Sequence, residues 1–302
     1  MSTPKGLERT HVSETVAGYV FMAPFLLGLG LFVIWPLLNA FWLSFHSYDL
    51  FSPPRWVGLD NYIFLLKTAD FWKSIANTTY YTVVVVTFQT CLSILLALIM
   101  DQRIRGKTFF RVAFFLPSVT SSVAISLIFM FLFFKNGVVN QALAALHLDV
   151  LLRLIGLATP VDWLGDPRTA LPTIMIQNIW STAGFFMIIF LAGLQDIPES
   201  LYEAARVDGA TPVQQFFHIT LPLLKPTTFY VVTMGLIGCF QIFDQVYVMT
   251  DGGPLKATLT TAYLLYKEAF VNFNMGYACA IAFVLAGIIF ASTMLQKRLM
   301  GE

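Results

Sequence analysis

The side chains most able to do chemistry are polar groups set inside long apolar runs. Gln177, Asn178, Trp180, Ser181 and Thr182 cluster in one run, with Phe185 just beyond; Gly238, Cys239, Gln241 and Asp244 interrupt another. Amides and hydroxyls exchange hydrogen bonds, and aromatic rings offer apolar faces for stacking. That is the chemistry of reversible binding rather than bond breaking. The same groups also suit hydrogen bonding and packing between helices, and Asp244, close to Asp251, also reads as an anchor near the end of its segment. Cys91, Cys239 and Cys279 all fall in apolar runs and read as small buried hydrophobes. His11, His46, His147 and His218 show no ligand spacing, so no metal site is expected. Arg105-Gly106-Lys107-Thr108 ends like a phosphate-binding loop, but Asp101 stands where that motif needs its first glycine. Nucleotide binding is therefore not expected in this chain.

The elements that carry these groups follow from composition. Of 302 residues, 57% are hydrophobic and only 12% charged, with a mean hydropathy of +0.74. Soluble domains carry about 25% charge, so lipid must cover much of this surface. A net charge of +1 gives no argument for nucleic acid. Crossing a ~30 Å hydrocarbon core takes ~20 helical residues. Six apolar runs are long enough, near 16–45, 79–100, 109–134, 170–194, 227–250 and 276–295. The first is too long for a signal-peptide core and lacks a small-residue cleavage site, so it reads as a retained span. Pro24, Pro36 and Pro117 interrupt spans, and neighbouring helices must satisfy the carbonyls they free. The expectation is an all-α integral membrane protein with six spans in a single domain, 1–302.

Orientation rests on basic residues in short loops. Arg103, Arg105 and Lys107 crowd the loop after the second run, with Arg111 beyond it. Lys5 and Arg9 precede the first span, and Lys297 and Arg298 end the last. With six spans these lie on one side, expected to be cytoplasmic. The sum is less lopsided, ten basic residues inside against eight outside, so density decides. The outer loops, 47–77, 135–169 and 251–275, are longer and serve either as plain connections or as contacts for a soluble partner. DGGP, opening the last of them, is a strong turn signal.

The segment 199–226 is a polar, helix-forming loop between two spans. Pro198 and Glu199 suit a helix start, and Leu201–Val207 reads as a short helix. Ala204 and Ala205 are small enough for another surface to approach. Asp208-Gly209 is a turn. Thr211 and Pro212 read as the N-cap and first position of a second helix, Val213–Thr220, limited by Pro222. Spacing alone leaves two readings open, a docking element for a partner and an amphipathic interfacial helix with none.

Glu203-Ala204-Ala205, Gly209, Ile219 and Leu221-Pro222 together resemble the EAA loop of binding-protein-dependent ABC importer permeases. MAPFLLGLGLFVIWPLLNAFWLSFHSYDL, VGLDNY, RGKTFFRVAFFLPSVTSSVAISLIF, GLQDIPESLYEAARVDGA and VYVMTDGGP, in order along nearly the whole chain, are similar to the carbohydrate branch of that family, as in the maltose and glycerol-3-phosphate systems. TDGGP resembles the maltose-system half that carries the binding site, although the second outer loop lacks that protein's large inserted domain. The resemblance implies a type I importer permease fold in a bacterial or archaeal cell membrane, both termini cytoplasmic. It implies pairing with a second, related permease above two ATPase subunits, which bind the ATP and magnesium. It also implies a soluble extracytoplasmic binding protein that delivers the solute. Glu203 and Asp208 would then make polar docking contacts with an ATPase, Ala204 and Ala205 would allow close approach, Gly209 would make the turn, and Ile219, Leu221 and Pro222 would fix the loop against the spans. By the same resemblance Ser181, Thr182, Phe185, Gly238, Cys239 and Ile242 fall where the maltose permease contacts sugar. Gln177, Trp180 and Gln241 join them as candidate path residues. No enzymatic activity and no cofactor are expected in this chain.

An ion-coupled secondary transporter would favour repeated halves and buried ionisable groups, and a membrane enzyme would need clustered catalytic groups; the sequence offers neither. No Lys or Arg falls deep in a span to pair with a phosphate, which favours an uncharged sugar, oligosaccharide or sugar-like osmolyte over a glycerol-3-phosphate-type organophosphate.

Overall fold

The structure is a computed structural model that describes residues 7–102, 105–154 and 156–300, with the side chains of 7–15 and Leu151 left out. The Lys5, Arg9 and Arg103 orientation signals lie outside the described residues or side chains. The chain divides into two compact units, one of 1–65 with 268–283 and the other of 66–267 with 284–302.

The first unit carries α1 (Leu7–Leu29), a π-helical turn (Gly30–Ile34) and α2 (Trp35–Leu43). None of the apolar stretch Val16–Leu43 is buried within this chain, so lipid or another chain must cover it. Pro36 explains the π turn. A proline lacks the N–H and crowds the carbonyl four residues back, and here Trp35 N bonds Gly30 O, one residue further than in an α-helix. A two-residue hairpin follows, β1 (His46–Ser47) against β2 (Arg55–Trp56). At the start of α3 (Asp60–Lys67), Asn61 Nδ2 donates to Ser44 O and His46 O at 2.9 Å each. Tyr62 Oη donates to Ser44 Oγ at 2.8 Å, so the VGLDNY block is the clasp of this hairpin.

The second unit is organised around α4 (Ala69–Asp101), which packs on α9 (Ala170–Gln195). Ala97, Met100, Met187, Phe190, Leu194 and Val231 share one buried cluster. Ser93 Oγ reaches across to Ala183 O at 3.0 Å. The helix begins at Ala69, ahead of the apolar run at 79. Its extra turns are of mixed character and held from the side: Asn77 Nδ2 donates to Lys256 O and Leu259 O at 3.0 Å each, and Thr78 Oγ1 accepts from Thr261 N at 2.9 Å. The run 109–134 is two helices, α5 (Lys107–Val119) and α6 (Ser122–Leu132), bent by 100°. Then come α7 (Val138–Ala145) and α8 (Asp149–Leu154) in the following loop.

Beyond α9, α10 (Glu199–Val207), α11 (Pro212–Gln215), a π turn (Phe216–Thr220) and α12 (Leu221–Leu223) form the polar loop. The run 227–250 resolves into α13 (Lys225–Phe240) and α14 (Asp244–Met249). α15 (Thr261–Tyr266) leads to a last π turn (Lys267–Val271) and α16 (Met275–Met300). α16 outlasts its apolar run because Gln296, buried, accepts from Thr233 Oγ1 at 3.1 Å and donates to Phe229 O at 3.0 Å. Among the described residues, four helical stretches are long and apolar enough to cross a membrane, and the number rises to six if each of two bent pairs counts as one span.

Candidate functional site

Two places carry the residues singled out above. The first is the block from Glu199 to Leu223. α10 ends in a full Schellman motif: Gly209 takes φ +80°, Ala210 N bonds Ala205 O at 2.8 Å and Gly209 N bonds Arg206 O at 3.1 Å. The next helix opens with a capping box in which Thr211 Oγ1 accepts from Gln214 N and Gln214 Oε1 accepts from Thr211 N. Tyr202 Oη and Thr220 Oγ1 lie 2.8 Å apart and tie the two arms together. At the base Leu224 is fully buried in the cluster of α4 and α9. The second arm continues past Pro222 to Leu223, because Leu221 N bonds Phe216 O in the π turn and the wider turn accommodates the proline.

This block presents two concave faces. Ala205, Asp208, Gly209 and Ile219 line a depression of about 410 Å³ together with Ala210, Gln214, Gln215 and His218. Glu203 and Ala204 are exposed on α10 outside it, Leu221 is half-buried and Pro222 exposed. A larger cavity of about 1280 Å³ opens between the ends of α4 and α9 and the other side of the block, bordered by Asp101, Gln195, Tyr202, Arg206, Phe216 and Phe217.

The second place is a pair of adjoining cavities that share Asn178 and Gln245. One, of about 300 Å³, is lined by Gln177, Ser181, Thr182 and Phe185 from α9 and by Ser118, Thr120 and Ser122 from the α5–α6 break. The other, of about 260 Å³, is lined by Gly238, Gln241, Ile242, Phe243 and Asp244. Gln177 is almost wholly buried and its Oε1 has no hydrogen-bond partner among the described residues. Thr182 Oγ1 lies 2.8 Å from both Gln89 Oε1 and Asn178 O, and Ser181 Oγ donates to Asn178 O at 3.0 Å. Two of the path candidates stand apart. Trp180 is half-exposed with its ring 5.5 Å from Phe129, and Cys239 is buried away from both cavities. Gln89, Thr120, Ser122 and Gln245 were not among the sequence candidates; a polar SVTSS run beside Pro117 was the signal for the middle two. Among the described residues, no Lys or Arg lines either cavity.

Residues 89–300 match the model of the family described as "Binding-protein-dependent transport system inner membrane component". The chain is 38% identical over 284 residues to the probable ABC transporter permease protein YurN of Bacillus subtilis, covering 93% of this chain and 94% of that one. It is 34% identical over 265 residues to the trehalose/maltose transport system permease protein MalF of Thermococcus litoralis, covering 87% and 85%. Its fold resembles a chain of a bacterial ABC transporter involved in the import of the acidic polysaccharide alginate, with a TM-score of 0.79, 24% identity and coverage of 96% and 97%.

Proposed function

We propose that this chain, which belongs to the family of binding-protein-dependent transport system inner membrane components, forms half of the translocation path of an ATP-driven importer for a carbohydrate or sugar-like solute. The observation that carries the coupling part is the block Glu199–Leu223, closed by a Schellman motif and a capping box and seated on the core through Leu224. A Cβ at Gly209 would meet no atom within 4 Å, so this turn is open for another surface. In this reading the partner is an ATPase subunit, which holds the ATP and magnesium. Glu203 and Asp208 make polar contacts with it, Ala204 and Ala205 let it approach, and Ile219, Leu221 and Pro222 hold the loop to the spans. The block and both termini face the cytoplasm. A second, related permease completes the path, and an extracytoplasmic binding protein delivers the solute.

The paired cavities supply amides, hydroxyls and the Phe185 ring without a basic residue. That lining suits an uncharged sugar, oligosaccharide or osmolyte better than the alternative, a glycerol-3-phosphate-type organophosphate. The trehalose/maltose relative supports the same class. The test is reconstitution with the neighbouring permease, ATPase and binding protein, and measurement of ATPase stimulation by sugar-loaded binding protein. Gly209→Asp and Glu203→Lys should abolish stimulation while the protein still inserts. Normal uptake in both variants would sink the docking role.

A further inference from the structure

We infer that a cluster of four aromatic rings between α14 and α15, outside the two cavities described above, is a stacking subsite for a further unit of a di- or oligosaccharide, with Tyr247 as its open ring. This rests on the sugar-importer reading above, in which the loop 251–275 faces outward.

Phe243 holds the cluster together. Its ring centre lies 5.5 Å from that of Tyr247, with the planes 19° apart, 4.9 Å from that of Tyr266 and 6.4 Å from that of Tyr263. Tyr247 and Tyr266 meet edge to face at 5.4 Å, and their hydroxyls share a hydrogen bond. Burial is graded across the four. Tyr263 is buried, Phe243 and Tyr266 are half-buried, and Tyr247 is 46% exposed.

The DGG turn is built around the buried end. Thr250 N and Asp251 N both bond Val246 O, at 3.1 and 2.9 Å, which closes α14. Asp251 takes φ +51° there, a left-handed position that glycine ordinarily fills. Its side chain supplies the reason, since the carboxylate accepts from Tyr263 Oη. At Gly252 a Cβ would lie 2.7 Å from Tyr263 Cε1, so the ring rests directly on the loop backbone. Tyr263 is thereby fixed as the base on which the other rings stand. Asp251 itself is exposed, an acceptor at the edge of the cluster.

Tyrosines near a membrane surface ordinarily serve as a belt against lipid headgroups. This cluster is placed differently, because Phe243 is also a wall of the 260 Å³ cavity, beside Asn178, Gln241 and Asp244. The rings therefore carry the lining of the path outward. A sugar unit offers a C–H face to an aromatic ring and hydroxyls around its rim. An open ring with two phenol hydroxyls and a carboxylate beside it answers both. The step from Phe243 to Tyr247 is one ring long, which suits one unit next to that held in the cavities and not an extended chain.

The test uses the whole importer in proteoliposomes, supplied in turn with glucose, maltose, maltotriose, arabinose, arabinobiose and arabinotriose. Sugar taken up and ATP hydrolysed are measured together, with the same binding protein throughout. For each two- or three-unit sugar that the wild type moves, Tyr247→Ala should lower sugar moved per ATP by about 2–10-fold, the scale of one lost aromatic contact. ATPase stimulation by the loaded binding protein should persist, and any single-unit sugar should move as in the wild type. Tyr247→Phe keeps the ring and should keep the wild-type ratio. Tyr247→Leu keeps apolar bulk without a ring; it should fall with Tyr247→Ala, and it decides the matter if the alanine variant fails to assemble. A wild-type ratio in Tyr247→Leu overturns the subsite and leaves the sugar reading standing. So does a loss of ATPase stimulation itself, which would make this surface a contact for the binding protein, and so does a wild type that moves single-unit sugars alone. A wild-type complex that none of the six sugars stimulates overturns both.

Discussion

Two glycines of the second unit should respond oppositely to the same added methyl. At Gly184 on α9, a Cβ would lie 1.8 Å from the carbonyl oxygen of Phe114 on α5. Contacts below 3.0 Å are essentially never seen, so α5 and α9 would have to part by at least about 1.2 Å. The obstacle is backbone, which cannot swing aside as a side chain can, and small residues are what let membrane helices approach this closely. Overpacking costs typically ~1–3 kcal/mol, and one or two kcal/mol is a ~5–30-fold change in the folded-to-unfolded ratio. At Gly238 on α13, a Cβ would meet no atom within 4 Å. There alanine gains about 1 kcal/mol of helix propensity over glycine. Gly184→Ala should therefore lower the thermal midpoint of the purified protein and widen the α5–α6 break, while Gly238→Ala should hold or raise it. In uptake the order differs. Gly238 borders the 260 Å³ cavity, so its methyl should alter solute preference without a loss of stability. Equal midpoints for the two variants, or a destabilised Gly238→Ala, would refute the packing argument.

Gln89 is buried with its Nε2 unpartnered among the described residues and only 2.4 Å from where a Cβ on Gly235 would sit. Gln89→Leu removes that orphan donor and should leave stability unchanged or higher; a loss above about 2 kcal/mol in chemical unfolding would mean the amide is satisfied. Asn140 donates to Lys135 O and Val161 O at 2.8 Å each and accepts from Val161 N and Trp163 Nε1. Asn140→Ala should loosen the 135–169 segment by about 2–3 kcal/mol, since its partners are left bare, read as faster proteolysis there and a shift in Trp163 fluorescence. Tyr263 donates to Asp251, and burial followed by that carboxylate raises its phenol pKa. A raised folded pKa means the stabilisation is complete below the ordinary phenol value of ~10 and lost as pH rises through the higher one. Absorbance titration near 295 nm should show late tyrosine ionisation, Tyr266 being raised as well by its hydrogen bond with Tyr247, and Tyr263→Phe should reduce the late amplitude without abolishing it.

Much of this was legible in the sequence because it rests on local chemistry. The apolar runs foretold the helical stretches at 170–195 and 275–300 to within a few residues. Thr211-Pro212 foretold the second arm of the loop, and Asp208-Gly209 the left-handed turn, since each needs only its own neighbours. What escaped was set by partners distant in the chain. Nothing within 69–78 says that helix continues there; the reason sits at Lys256, Leu259 and Thr261. The 100° bend was read only as an interruption at Pro117, because a proline in the sequence breaks a helix without setting the angle of the break. Trp180 looked like a sugar-stacking ring from its neighbours in sequence, yet a helix turns 100° per residue, and that position faces Phe129 rather than the cavities.

The breaks in this fold are also where its polar chemistry collects, and the reason is physical. An unbroken helix at membrane depth satisfies its own backbone and has only side chains to offer a ligand. Pro117 with the SVTSS run ends one helix and starts another inside the span, which frees backbone donors beside Gln177. At Gln241 the fifth span stops, and its exposed amide joins Asp244 and Asn178 around the second cavity. Pro36 and Pro222 show the contrasting solution. Each follows a π turn in which the backbone absorbs the missing N–H without opening the helix, and neither borders one of these two cavities. Proline alone therefore does not mark a site in such a chain.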